Sequence, residues 1–154
     1  MMYRIKYSTI AEIKIPANAQ AGKTFAFETQ QQLQTVSGDQ RVIVEAIECY
    51  SDSALTKSPL TNTNVVATAA DIANATLTLQ FGTFQGISMM PLASLVRIIP
   101  DAANYTPGVF DLTMFREMYK IDWTKSYITL VDTAPTATVF SYVFNVCYDY
   151  LPTT

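Results

Sequence analysis

The last stretch of the chain, residues 138–150, reads TVFSYVFNVCYDY. In an extended strand, successive side chains alternate between two faces. One face then receives Phe140, Tyr142, Phe144, Val146, Tyr148 and Tyr150; the other receives Val139, Ser141, Val143, Asn145, Cys147 and Asp149. The first face is wholly large and apolar or aromatic, whereas the second is mixed and grows more polar toward its end. A helix would scatter the same aromatics around its circumference, and β-branched and aromatic residues favour strands. A strand with one such face must lie against strands from earlier in the chain. It closes a sheet that the preceding residues have to supply.

Those residues do supply strands. Residues 3–15 place Tyr3, Ile5 and Tyr7, then Ile13 and Ile15, on alternate positions, as one or two strands ended by Pro16. Residues 23–28 (KTFAFE) form a short strand with Phe25 and Phe27 on one face, and the Gln-rich stretch after it is a long loop turning at Gly38 and Asp39. Residues 41–50 (RVIVEAIECY) are apolar on both faces, which suits a central strand. A polar loop holding Pro59 follows, then a short strand near residues 65–68 and a helical turn or loop over 69–75. Residues 76–81 (TLTLQF) point Leu77, Leu79 and Phe81 inward, and residues 87–90 and 92–99 read as short strands broken by Pro91. Residues 111–120 (DLTMFREMYK) set Leu112, Phe115, Met118 and Tyr119 at helical spacing, with Asp111 as a cap. Residues 126–131 (SYITLV) are a strand before the closing one. The expected fold is therefore one all-β domain over residues 1–154. It is a β-sandwich of about eight strands with one short helix near 111–120. Long loops between strands fit Greek-key crossing between two sheets of jelly-roll type better than an up-and-down barrel.

Composition excludes several functions. The chain contains no histidine, which removes Ser-His-Asp and Cys-His sites and imidazole-based metal or acid–base chemistry. A net charge of −3 gives no electrostatic footprint for nucleic acid or an anionic membrane surface, so neither is an expected partner. No run of about 18 apolar residues is present, and the N-terminus alternates and carries charge where a secretion signal would need an apolar block. Gly22-Lys23-Thr24 resembles the end of a phosphate-binding loop. That motif needs glycine at position 17, where the chain has Ala17, and a helix afterwards, where FAFE follows. Glu45 and Glu48 fall on opposite faces of one strand and form no paired-carboxylate site. Asp111, Glu117 and Asp122 lack calcium-loop spacing. Asn74-Ala75-Thr76 matches a glycosylation acceptor that carries no meaning without secretion. Cys49 and Cys147 fall in strands and read as buried free thiols. No catalytic residue, cofactor or metal site is expected.

The surplus is aromatic: the chain has nine tyrosines and eight phenylalanines while charged residues make up only 15%. A typical soluble chain carries about 25% charged residues, so low charge with abundant aromatic surface favours assembly. Tyr148, Tyr150 and Trp123 are the candidate subunit-interface residues; the same rings could instead stack on sugars.

The polar Thr/Gln loops, the long final strand and the absence of histidine chemistry together resemble the jelly-roll proteins of virus and bacteriophage particles. The runs RVIVEAIECYSDSALTKSP, ISMMPLASL and IDWTKSYITL look like those of small phage virion proteins, and the resemblance spans roughly residues 41–150. It implies two four-stranded sheets with the last strand beside early ones, and symmetric homo-oligomers contacting other capsid or virion proteins. It also implies location in the virion after synthesis in the host cytoplasm. A helix near Asp111 would be an insertion that a minimal jelly roll lacks. The expected role is a minor capsid, vertex or capsid-decorating subunit. The alternatives are a carbohydrate-binding sandwich on a phage appendage and a carboxylate-dependent enzyme.

Overall fold

A computed structural model of the chain describes residues 7–27, 42–52, 56–57, 64–81, 84–95, 109–111 and 121–150. Nine strands and one short helix occur among these residues. In chain order they are β1 (Tyr7–Ile15), β2 (Thr24–Ala26), β3 (Val42–Tyr50) and β4 (Val65–Val66), then α1 (Ala69–Ala73). They continue with β5 (Ala75–Phe81), β6 (Phe84–Pro91), β7 (Val109–Asp111), β8 (Tyr127–Leu130) and β9 (Phe140–Tyr150). One sheet has the order β1-β9-β3-β7, with β4 also on β9; the other has the order β2-β8-β5-β6. Every pairing is antiparallel except the two-residue contact of β4 with β9.

The closing strand is central. β9 pairs with the whole of β1, from Ile15 opposite Phe140 to Tyr7 opposite Tyr148. Its other edge pairs with β3 from Tyr50 opposite Val143 to Val42 opposite Tyr150, and with β4 at Phe140 and Ser141. Two-residue periodicity then decides the core. Phe140, Tyr142, Phe144 and Val146 are buried together with Ala11, Ile13 and Ile15 of β1 and Ile47 and Cys49 of β3. From the second sheet, Ala75, Leu77 and Leu79 of β5 and Ile128 and Leu130 of β8 complete the same core. The two sheets thus form an all-β sandwich.

Several elements differ from their sequence pattern. β9 starts at Phe140, because Val139 is exposed and outside the ladder. Residues 87–91 belong to one longer strand, β6. Leu92–Leu95, expected as strand, is a 3-10 turn that buries Leu92 and Leu95, the two residues its three-residue period places on one side. In β3 the register with β9 slips between Val44 and Ala46, so a bulge at Glu45 interrupts the simple alternation. Asp111 is the last residue of β7, opposite Ala46; residues 112–120, where a helix was expected, lie outside the described residues. The described helix is α1, five residues long. So short a helix is marginal alone. It is held by a reciprocal cap in which Thr68 accepts from the Asp71 amide and Asp71 accepts from the Thr68 amide.

Candidate functional site

The face of β9 turned away from the core carries Ser141, Val143, Asn145 and Cys147, and the register fixes what stands beside them. Glu12 of β1 lies opposite Val143, and Glu48 of β3 lies opposite Asn145. Both carboxylates are withdrawn from water, at 3% and 7% exposure, and Ser141 and Val143 are fully buried. A buried carboxylate is tolerated only when donors replace its hydration. The Ser141 hydroxyl donates to Glu12 Oε1, the Asn64 side-chain amide donates to the same oxygen at 3.1 Å, and Asn64 also reaches Ser141 Oγ at 3.1 Å. On the other side of β9, the Asn145 amide donates to Glu48 Oε1 at 2.9 Å. The sheet thus gathers two carboxylates that are remote in the chain onto one face, each fixed by neutral donors. Ser141 has no exposed surface on which to meet a substrate. The arrangement fits the holding of strands in register, with Asn64 bridging β9 and β1.

A second polar centre joins α1 to the loop before β9. Asp71 is completely buried, and its carboxylate accepts from the Thr68 amide at 3.0 Å, the Thr68 hydroxyl at 2.8 Å, the Thr136 amide at 3.1 Å and the Thr136 hydroxyl. The Tyr142 hydroxyl donates to the Asp71 carbonyl oxygen at 2.7 Å, so the closing strand reaches α1 through the core. Burial, with Asp71 and Cys49 nearby, pushes the Tyr142 phenol far above its ordinary value. Burial and the neighbouring Glu48 do the same to the Cys49 thiol. Cys49 and Cys147 are both free, Cys49 buried and Cys147 half-buried. A thiol held protonated is a poor nucleophile, and Cys49 is a packing group.

The candidate interface residues divide. Trp123 opens a 3-10 turn (Trp123–Lys125) capped by Asp122, whose carboxylate accepts from the Thr124 amide. The ring is 5% exposed and meets Phe27 edge-on at 5.0 Å, and Phe27 in turn lies 5.4 Å from Phe144. Trp123 therefore seals the core and offers no ring face to a sugar or a second subunit. Tyr148 and Tyr150 occupy the last turns of the β9 ladder, opposite Tyr7 and Val44, and opposite Val42, respectively. Asn74, the would-be glycan acceptor, is buried. Its amide donates to the Asp132 carbonyl at 2.8 Å and its carbonyl accepts from the Asp132 amide at 2.8 Å. Gly22, at φ +77°, turns the chain into β2, which is a strand and not the helix a phosphate loop requires.

Glu12, Ser141, Asn64 and Asp71 were not singled out from the sequence. For Asp71 a signal exists: Thr68-x-x-Asp71 is a capping-box pattern ahead of a short apolar stretch. For Glu12 and Ser141 the partners come from opposite ends of the chain, and no local pattern joins them. Among the described residues, no group of three His, Cys, Asp or Glu is placed to hold a metal, and no helix is long and apolar enough to cross a membrane. Large apolar side chains exposed on the surface include Met89, Val131, Val65 and Val139. No protein-family model, curated protein or solved structure matches the chain.

Proposed function

We propose that the chain is a jelly-roll structural protein of a virus or phage particle. It would act as a minor capsid, vertex or shell-decorating subunit through symmetric self-assembly. The observation that carries this reading is the strand order. With the two-residue β4 set aside, the eight other strands among the described residues run first-eighth-third-sixth in one sheet and second-seventh-fourth-fifth in the other. That order arises when one antiparallel ribbon is wrapped over itself, its pairs being first with eighth, second with seventh, third with sixth and fourth with fifth. All four pairs are present and antiparallel. Wrapping of this kind defines the eight-stranded jelly roll, an architecture of viral capsid proteins that also serves lectins and cupins.

Fold alone leaves function open, so the choice rests on what the surface and chemistry offer. Charge is sparse at 15% of residues, and exposed valines and methionine remain on the surface. The buried carboxylates of Glu12, Glu48 and Asp71 accept hydrogen bonds from serine, asparagine and threonine groups that tie separate segments together, which favours a mechanical role. A sugar-binding reading loses the chain's one tryptophan, which is in the core. Subunit contacts would remove apolar surface from water at about 25 cal/mol per Å², and the assembled shell would gain that stability repeatedly. Light scattering of the purified protein over a wide concentration range tests the proposal. A closed oligomer of three or more copies is the expected result, and a strict monomer at the highest soluble concentration would overturn it.

A further inference from the structure

At one end of the sandwich β1 and β8 stop and β2, β5 and β9 start, linked by residues 16–23 and 131–139 and by α1. These loops are tied to one another. The Gly22 amide donates to the Leu130 carbonyl at 2.8 Å, the Val131 amide to the Asn74 carbonyl at 2.9 Å and the Ala134 amide to the Ala19 carbonyl at 2.9 Å. Thr136 is held in turn by the buried Asp71. A contact made on loops already fixed in this way costs little further ordering. The same end carries apolar surface. Among the described residues, the large apolar side chains exposed to water are Val65 at 43%, Met89 at 59%, Val131 at 56% and Val139 at 37%. Val131 directly follows β8, Val139 directly precedes β9, and Val65 pairs with Phe140 beside Val139. Met89 lies two residues short of this end, where Pro91 pairs with Thr76 near the start of β5. Exposed apolar residues scattered singly are ordinary, but gathered at one fixed end they mark a contact surface.

Charge selects the occupant. The exposed charged residues described in the loops at this end are Lys23, Lys57, Asp52 and Asp132, two of each sign with a net of zero, whereas the whole chain carries −3. A strongly acidic or basic partner finds no matching field on such a surface. A second copy of the same surface meets it without net repulsion, and a lysine of one copy can stand against an aspartate of the other. The Leu130 amide donates to the Lys23 carbonyl at 3.1 Å, so Lys23 and Asp132 belong to adjoining strand ends within the one surface. We infer that this loop end is the contact surface for a second copy of the chain. Val131 and Val139 are buried in the contact, and Lys23 of each copy pairs with Asp132 of its neighbour.

The contact rests on the self-assembly proposed above and names its surface. Hydrogen–deuterium exchange of the full chain at low and high protein concentration, beside the solution mass, is the test. Protection of residues 16–23 and 131–139 should rise with concentration in step with association. Val131→Glu sets an unpaired charge into the apolar contact and should weaken association about tenfold or more. Val131 is exposed, so at a concentration where both proteins are monomers the variant should keep the wild-type unfolding midpoint. Lys23→Glu and Asp132→Lys should each associate poorly with their own copies at low salt, and mixing the two variants should restore association. Oligomers whose concentration-dependent protection lies outside these loops would overturn the contact and leave self-assembly standing. A dimer with no larger species, protected at these loops, would keep the contact and remove the shell-protein reading. A wild-type chain that stays monomeric would overturn both. The contact is also overturned if Val131→Glu associates as tightly as wild type, and the pairing of Lys23 with Asp132 if the mixed variants stay apart.

Discussion

Asp71 offers the sharpest test of how this sandwich is held together. Its buried carboxylate accepts four hydrogen bonds, two from Thr68 and two from Thr136. Oδ2 takes three of them and Oδ1 takes the Thr136 amide. In Asp71→Asn the side-chain oxygen can keep the Oδ2 position, which sets the new NH₂ group against the Thr136 N–H. One bond to a charged acceptor is lost and a buried donor is left facing a donor. Such a change costs about 2–3 kcal/mol, given about 1.5–3 kcal/mol for a bond to a charged group and about 1–3 kcal/mol for an unsatisfied buried donor. Asp71→Ala removes all four bonds and should cost about 3–5 kcal/mol, since bonds sharing one acceptor do not add. In a domain of this size about 1 kcal/mol moves Tm by roughly 2–4 °C, so the Asn variant should melt roughly 4–12 °C lower. Tyr142→Phe is the internal control. The Asp71 carbonyl still accepts from the Asn74 amide at 3.1 Å after the phenol is removed, and the expected loss is about 1 kcal/mol. Urea and thermal unfolding followed by circular dichroism measures all three. An Asn variant within about 0.5 kcal/mol of wild type would refute the anchoring role, because that is the range of an ordinary surface substitution.

Three further outcomes follow from the packing. Phe144→Ala empties a fully buried site beside Phe27 and should cost about 3–5 kcal/mol in urea unfolding; a loss under about 1 kcal/mol would mean that the two sheets do not depend on this ring. Trp123→Ala should lower stability by a similar amount, about 3–5 kcal/mol, and near-wild-type stability in the melting curve would place the ring outside the core. Cys49 should resist alkylation in the folded protein and react only on unfolding. Its thiol is raised from an ordinary 9.0, so its contribution is fully present below about pH 9 and is lost as pH rises. The slope is up to about 1.4 kcal/mol per pH unit, with Tyr142 adding to it above its ordinary 10.0. Unfolding midpoints that stay flat from neutral to strongly alkaline pH would contradict the burial of both groups.

Local pattern was a good guide where side chains follow one period over many residues. The aromatic face of residues 140–146, the alternation of Leu77 and Leu79 and the inward Ile13 and Ile15 are all buried as the two-residue period requires. It failed where geometry departs from a period. Leu92 to Leu95 has strand-like composition, yet its first and last residues are buried by a 3-10 turn. Glu45 is passed over by a bulge that no residue type announces. Trp123 was a candidate for a subunit interface or a sugar-stacking face, since composition marks an aromatic surplus without placing it. Its burial depends on Phe27, nearly a hundred residues earlier in the chain.

The sequence by itself determined that this chain must be β, because only a two-faced strand can gather the aromatics of residues 140–146 on one side. It also determined that histidine chemistry is closed to it. The tertiary structure alone decided which strands lie beside which. The placing of β9 between β1 and β3, and the meeting of Glu12 with Ser141 and of Asp71 with Thr136, are products of pairing between distant segments. A strand's own residues fix which side faces the core. They do not fix its neighbours, because any antiparallel partner with a complementary face satisfies the same backbone hydrogen bonds, and only the joint packing of both sheets selects one arrangement.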